Sequence, residues 1–178
     1  MPTIQALTSY ITKEMRVNAQ SSQARDIRQK NQSLLDTFKA LTQWKSMVGN
    51  RRPWDHKGYI KNTYGEWALD AETETEFNFD IWSNIHYGYV GRSVGFSGWT
   101  LKAGAGYAQW AAGTSPKGYW SRRADTFGDA DVIAAFDDPK DQAAIQIGIA
   151  LWDSYKLNIT SDLLLEALRL NRSSLQTR

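Results

Sequence analysis

The chain has 178 residues, two histidines, no cysteine and a formal net charge of +2. Without thiols it has no disulfide, no thiolate metal site and no cysteine nucleophile, and two histidines are too few for a histidine-rich metal centre. A length of this order fits one domain, able to bury about 70% of its unfolded surface with no covalent staple.

Charge is unevenly spread along the chain. Through Asn62 there are eleven Lys/Arg against four Asp/Glu, and from Thr63 onward ten against fifteen. The basic part reads as a phosphate- or partner-docking surface, or as a solvated helical face. Eight Trp and eight Tyr supply core payload or stacking platforms, and composition does not choose between these. Residues Met1 to Gln5 lack the basic and apolar regions of a cleaved signal peptide. No apolar run approaches the roughly 20 residues of a membrane span. The expectation is synthesis in a cytoplasm, no membrane insertion, and any export without a cleaved leader.

Ile4, Leu7, Ile11 and Met15 recur at helical spacing and predict an amphipathic first helix. Ser21 to Asn31 is polar and reads as a loop or an exposed helix. Residues 1–32 are therefore expected to form an N-terminal helical arm, 33–170 the compact domain and 171–178 a tail. Ser33 is the expected N-cap of a helix burying Leu34, Leu35, Phe38, Leu41 and Trp44, which Gly49-Asn50 ends. Pro53 suits the first turn of a short helix holding Trp54, Asp55, His56, Lys57, Tyr59 and Ile60. Between Glu66 and Phe79 the period changes from 3.6 to 2. Thr73, Thr75, Phe77 and Phe79 share one face, Glu72, Glu74, Glu76 and Asn78 the other, with a polar turn near Asp70-Ala71.

Asp80 opens the next helix and Gly95 closes it. Trp82, Ile85 and Tyr89 share its apolar face, with Ile81 and His86 at the edges, while Asp80, Asn84, Tyr87 and Gly91 line the opposite one. An ordinary solvated face would carry Lys, Glu, Gln or Ala, and each mid-helix glycine costs about 1 kcal/mol relative to alanine. Two readings follow: a groove in which substrate lies against carboxylate, amide and phenol, or a helix buried on both sides whose glycines permit close packing. Ser97 caps the following helix, where Gly104, Ala108 and Ala111 form a small-residue track. Gly113 to Gly128 is a long loop containing Tyr119, Trp120, Arg122 and Arg123, and such a loop is either functional or disordered. Asp137-Asp138-Pro139 starts a helix through Ile145, Ile149 and Trp152, and Ser161-Asp162 starts the last, with Leu164, Leu165 and Leu168 inward. The expected fold is mainly α (α+β): a single-domain helical bundle with one small β-hairpin near residues 66–79.

No Walker loop, H-E-x-x-H, G-x-S-x-G or EF-hand spacing is present, and no cofactor is implied. Asp80 is the foremost carboxylate, because a helix N-terminus stabilises its anion by about 0.3–1 kcal/mol. That suits a nucleophile, a base or a charge stabiliser, or simply a cap. A glycosidase would need a second carboxyl roughly 5–9.5 Å away, and Asp55, Asp70 and Glu76 are the nearest candidates in this reading. His56 and Lys57 beside Asp55 suit metal-free phosphodiester cleavage, or a surface turn after Pro53. His86 reads as a catalyst or a hydrogen-bonded core residue. Asp137, Asp138 and Asp141 read as helix-start carboxylates. Trp120 and Arg122 are candidate substrate contacts.

Pro53-Trp54-Asp55-His56-Lys57, the run Asp80 to Arg92, Gly95-Phe96-Ser97 with Leu101 and Gly104-Ala105-Gly106, and Asp137-Asp138-Pro139-Lys140-Asp141-Gln142 together resemble the bacterial polymorphic toxin type 44 domain. The resemblance runs from about Gly49 to Trp152. It implies the payload of an interbacterial toxin, delivered by a specialised secretion system and opposed by an immunity protein, and it transfers no catalytic assignment. Asp55, Lys57, Asp80 and His86 as catalytic groups, and Asn84, Tyr87, Trp120 and Arg122 as substrate contacts, are chosen on their own chemistry. The leading expectation is a hydrolase cleaving the glycan of peptidoglycan in the target periplasm. The alternatives are a metal-independent RNase acting on RNA in the target cytoplasm, and a non-enzymatic helical binding module.

Overall fold

The computed structural model describes residues 3–102 and 138–178. In chain order the elements are α1 (Ile4–Ala19), α2 (Ser22–Asn31), α3 (Thr37–Val48), α4 (Lys57–Tyr64), β1 (Trp67–Asp70), β2 (Thr75–Asn78), α5 (Asp80–Ser93), α6 (Gly98–Lys102), α7 (Pro139–Tyr155) and α8 (Ser161–Leu170). Two 3₁₀ turns, Lys156–Asn158 and Arg172–Ser174, flank α8. The fold is mainly helical, as the sequence predicts, with one antiparallel hairpin among the described residues. No helix among those residues is long and apolar enough to cross a membrane.

Everything is organised around α5. Of its fourteen residues only Asp80, Tyr87 and Arg92 escape burial. α7 lies against one side in parallel orientation, as the pairs Asn84–Asp141, Tyr89–Trp152 and Arg92–Asp153 show. The helices meet backbone to backbone. A Cβ on Gly88 would sit 2.1 Å from the Ile145 carbonyl oxygen, and one on Gly148 2.1 Å from that of Ile85. Gly91 is closed in the same way by Leu101 Cδ2 and Trp44 Cζ2, 2.3 and 3.0 Å from a built Cβ. Close packing, not a groove, therefore accounts for these glycines.

The N-terminal segment expected as an arm is part of the core. Ile4, Leu7, Ile11 and Met15 of α1 are 0–1% exposed, and Trp82 Nε1 donates to Thr8 Oγ1 at 3.2 Å. The apolar stripe of α1 has to be covered, and α5 packs on α1, with Trp82 meeting Thr8 and His86 meeting Asn18. The polar stretch Ser21 to Asn31 is a helix, the second of its two readings, capped by Ser21, with Ala24 and Ile27 buried. Its side chains close the C-terminal end of α5: Arg28 Nε donates to the Ser93 carbonyl at 2.8 Å and Asn31 Nδ2 to that of Val94 at 2.8 Å.

Two further expectations need correction. α3 begins one turn later than predicted, so Leu34 and Leu35 lie in the α2–α3 turn, 97% and 92% exposed. Apolar spacing alone does not tell the first turn of a helix from the turn before it. Residues 171–178 are no free tail either. Leu175 is buried, Thr177 bridges Phe77, and Glu76 and Arg178 exchange two backbone hydrogen bonds of 3.0 Å each.

The hairpin pairs Trp67 with Asn78 and Asp70 with Thr75. Asp70 at its turn is fully buried and accepts two 2.8 Å bonds from the Arg169 guanidinium of α8, which hold its carboxyl below the usual carboxylate range. Asp70 is thereby a structural anchor. Its strand partner β2 runs into Phe79 and delivers the chain to Asp80.

Candidate functional site

Three helices begin at one corner of the molecule, and each brings a charged residue in its first turn. On α4 it is Lys57. The preceding turn is held by Asp55, whose carboxylate accepts from the backbone N–H of Arg51 at 2.8 Å and of Lys57 at 3.2 Å. Asp55 is thus committed to backbone.

On α5 the residue is Asp80. The N-cap position belongs to Phe79, and the Asp80 N–H is taken by Asn78 Oδ1 at 3.1 Å. Asp80 is therefore the first helical residue, and its carboxylate is left out of the capping. Its Oδ1 is turned inward and has no hydrogen-bond partner among the described residues. Lys57 Nζ stands 3.5 Å from that oxygen as an ion pair, with both side chains about one-third exposed.

On α7 the residue is Asp141. Asp138 caps that helix by accepting from Lys140 N at 2.8 Å, with Pro139 at the first position, as expected. Asp141 Oδ1 then accepts from Asn84 Nδ2 at 2.9 Å, across the α5–α7 contact. Burial raises the Asp141 carboxyl to about 6. Lys57 opposes that shift, the charges on Asp138 and Asp80 reinforce it, and the Asn84 bond opposes it. The corner thus holds one carboxyl that keeps its proton to near-neutral pH and another paired with an ammonium. Divergent environments for two neighbouring acids are what general acid chemistry requires.

Asp141 was legible only as a helix-start carboxylate. Nothing in the sequence reveals that α5 and α7 run parallel with Gly88 and Gly148 at the crossing, and that register is what sets Asn84 opposite Asp141.

The remaining candidates fall elsewhere. Tyr87, one turn beyond Asn84, donates its hydroxyl to the Leu101 carbonyl at 3.3 Å and packs its ring 5.3 Å from Trp44. Burial pushes its phenol up to about 12. Of the polar stripe, Asp80 and Asn84 thus reach the corner and Tyr87 does not. Glu76 pairs with Arg178 at 2.7 Å. Trp120, Arg122, Arg123 and Asp137 lie outside the described residues. Among the described residues no cluster of three or more His, Asp or Glu is placed to hold a metal ion.

The two histidines form a separate buried chain. Tyr10 Oη lies 2.9 Å from His56 Nδ1, His56 Nε2 lies 3.3 Å from His86 Nε2, and Asn18 Nδ2 lies 2.9 Å from that same His86 nitrogen. The amide of Asn18 donates, so His86 Nε2 accepts and its proton sits on Nδ1. His56 then donates from Nε2 and accepts the Tyr10 hydroxyl at Nδ1. His86 Nδ1 is buried without a partner among the described residues. Desolvation lowers His56 to about 4 and holds His86 well below its ordinary value, the latter helped by its neighbour's charge. Both rings are neutral at physiological pH and bind α1, α4 and α5 together.

A surface cavity of about 530 Å³ lies between the hairpin turn and α8, lined by Glu72, Asp162, Glu166, Arg169 and Arg172 among others. It shares no residue with the corner of Lys57, Asp80, Asn84 and Asp141. Chemistry, not concavity, singles out the corner.

No curated protein and no solved structure matches the chain. The sequence pattern of the bacterial toxin 44 family does match, over residues 43–154. That span holds Lys57, Asp80, Asn84 and Asp141 together with both helices that cross at Gly88 and Gly148. The chain belongs to the bacterial toxin 44 family.

Proposed function

We propose that this toxin is a hydrolase acting through a carboxyl pair, and that its substrate is the glycan of peptidoglycan. The observation that carries the reading is Asp141, a half-buried acid raised to about 6 beside the Asp80–Lys57 ion pair. In this scheme Asp141 donates a proton to the leaving glycosidic oxygen, and Asp80 acts from the other side as nucleophile or water-activating base. Lys57 holds the Asp80 carboxylate in an ion pair, and Asn84 aims the Asp141 carboxyl. Asp141 takes the partner role that Asp55 was expected to fill.

Cleavage of RNA by the histidines finds less support. His86 is fully buried, His56 nearly so, and each ring is already engaged by the other. Neither reaches a phosphodiester unless α1 leaves α5. The site of action that goes with the glycan reading is the target periplasm. An immunity protein would act by covering the corner where the three helices begin.

The test is digestion of purified sacculi by the full chain. Asp141→Asn and Asp80→Asn should each slow fragment release by about 100-fold or more, and killing should require direction to the periplasm. Unchanged release in both variants, or RNA cleavage that survives them, would overturn the reading.

A further inference from the structure

The α2–α3 turn has an exposure that the rest of the fold does not explain. Leu34 and Leu35 are 97% and 92% exposed, and Phe38 on the following turn is also exposed. Isolated exposed leucines are ordinary, but two adjacent ones that touch almost nothing, beside a phenylalanine, form a protruding apolar tip. The helices on either side are basic. From Ser22 to Arg52 there are seven Lys/Arg against two Asp/Glu. Lys30 stands one turn before the tip and Lys39 one turn after it, and their pairs with Asp26 and Asp36 are partly exposed, so solvent and competing anions weaken them.

We propose that this tip docks the protein on an anionic lipid surface. The shape favours lipid over protein: a convex pair of leucines enters the acyl boundary, whereas a second copy or a partner face is matched by a broad flat patch. The charge favours an anionic leaflet, because basic side chains on both flanks would stand at headgroup level with their stems along the apolar layer. The tip contains none of the residues of the Lys57–Asp80–Asn84–Asp141 corner, so docking and hydrolysis are separable.

The experiment is flotation of the purified full chain with vesicles of phosphatidylglycerol and phosphatidylcholine, and with vesicles of phosphatidylcholine alone. Binding is expected on the first, much weaker binding on the second, and release from the first as salt shortens the Debye length to about 3 Å near 1 M. The double variant Leu34→Glu/Leu35→Glu should bind at least about tenfold less while its circular-dichroism melt stays that of the parent, since neither side chain touches the core. Binding equal in parent and variant, or no binding to anionic vesicles, would overturn the proposal. So would a concentration-dependent dimer in sedimentation that the double variant dissociates, because the tip would then be covered by a second copy.

Discussion

Replacing Asp141 by Asn tests the proton-donor role through stability as well as through activity. Asparagine has the shape of a protonated aspartate and keeps an oxygen to accept from Asn84 Nδ2, the bond that spans 2.9 Å in the parent. Asp141 has a folded pKa of about 6 against a reference value of 3.8. Between those values the folded chain holds a proton that the unfolded chain has lost, so stability falls as pH rises through the window. The penalty is absent below about pH 4 and complete above about pH 6. Two units correspond to about 3 kcal/mol, and solvent screening of a half-buried carboxyl reduces this to about 1–1.5 kcal/mol. Urea melts should therefore show Asp141→Asn gaining on the parent from about pH 4 to pH 8, reaching that margin, or about 2–6 °C in Tm. The same variant should be inactive on sacculi. A stability difference that does not change between pH 4 and 8 would refute the assignment, whatever happens to activity.

The helix crossing supplies a pair of opposite expectations. Gly88→Ala drives a methyl to 2.1 Å from the Ile145 carbonyl oxygen, backbone against backbone, and should lose about 2–3 kcal/mol despite the better helix propensity; Gly58→Ala on α4 meets nothing within 4 Å and should gain about 0.5–1 kcal/mol, both read from thermal melts. Equal stability of the two variants would refute the packing argument. The histidine chain acts in the reverse sense to Asp141. Because His56 is lowered to about 4 and His86 well below its ordinary value, stability should fall as pH drops from about 6.5 toward 4. His56→Gln should be less stable at neutral pH but flatten that slope by about one proton's worth, 1.4 kcal/mol per pH unit, and an unchanged slope would show that the rings are not the groups titrating.

Short-range chemistry was the part of this fold that the sequence made readable. Asp138-Pro139 starts α7 and Gly95 ends α5 because capping depends on a few adjacent residues, and the hairpin follows from local alternation. Partner choice was not readable. The stripe on α5 admitted either a groove or close packing, and what decides is a glycine on another helix about sixty residues away, Gly148. The same register brings Asp141 to Asn84, so Asp141 and not Asp55 becomes the second carboxyl of the corner. The histidines show the limit from the other direction: each alone suggests chemistry, and only their mutual contact at 3.3 Å reveals a buried structural pair.

Thr3 pairs in parallel with Leu69 on the outer edge of β1, and Thr177 pairs antiparallel with Phe77 on the outer edge of β2. Thr3 and Thr177 thus bridge opposite edges of one hairpin, about three strand spacings or 14 Å apart. The hairpin thereby ties α1 and the segment after α8 to one element, so loss of the β1–β2 pairing would release both together.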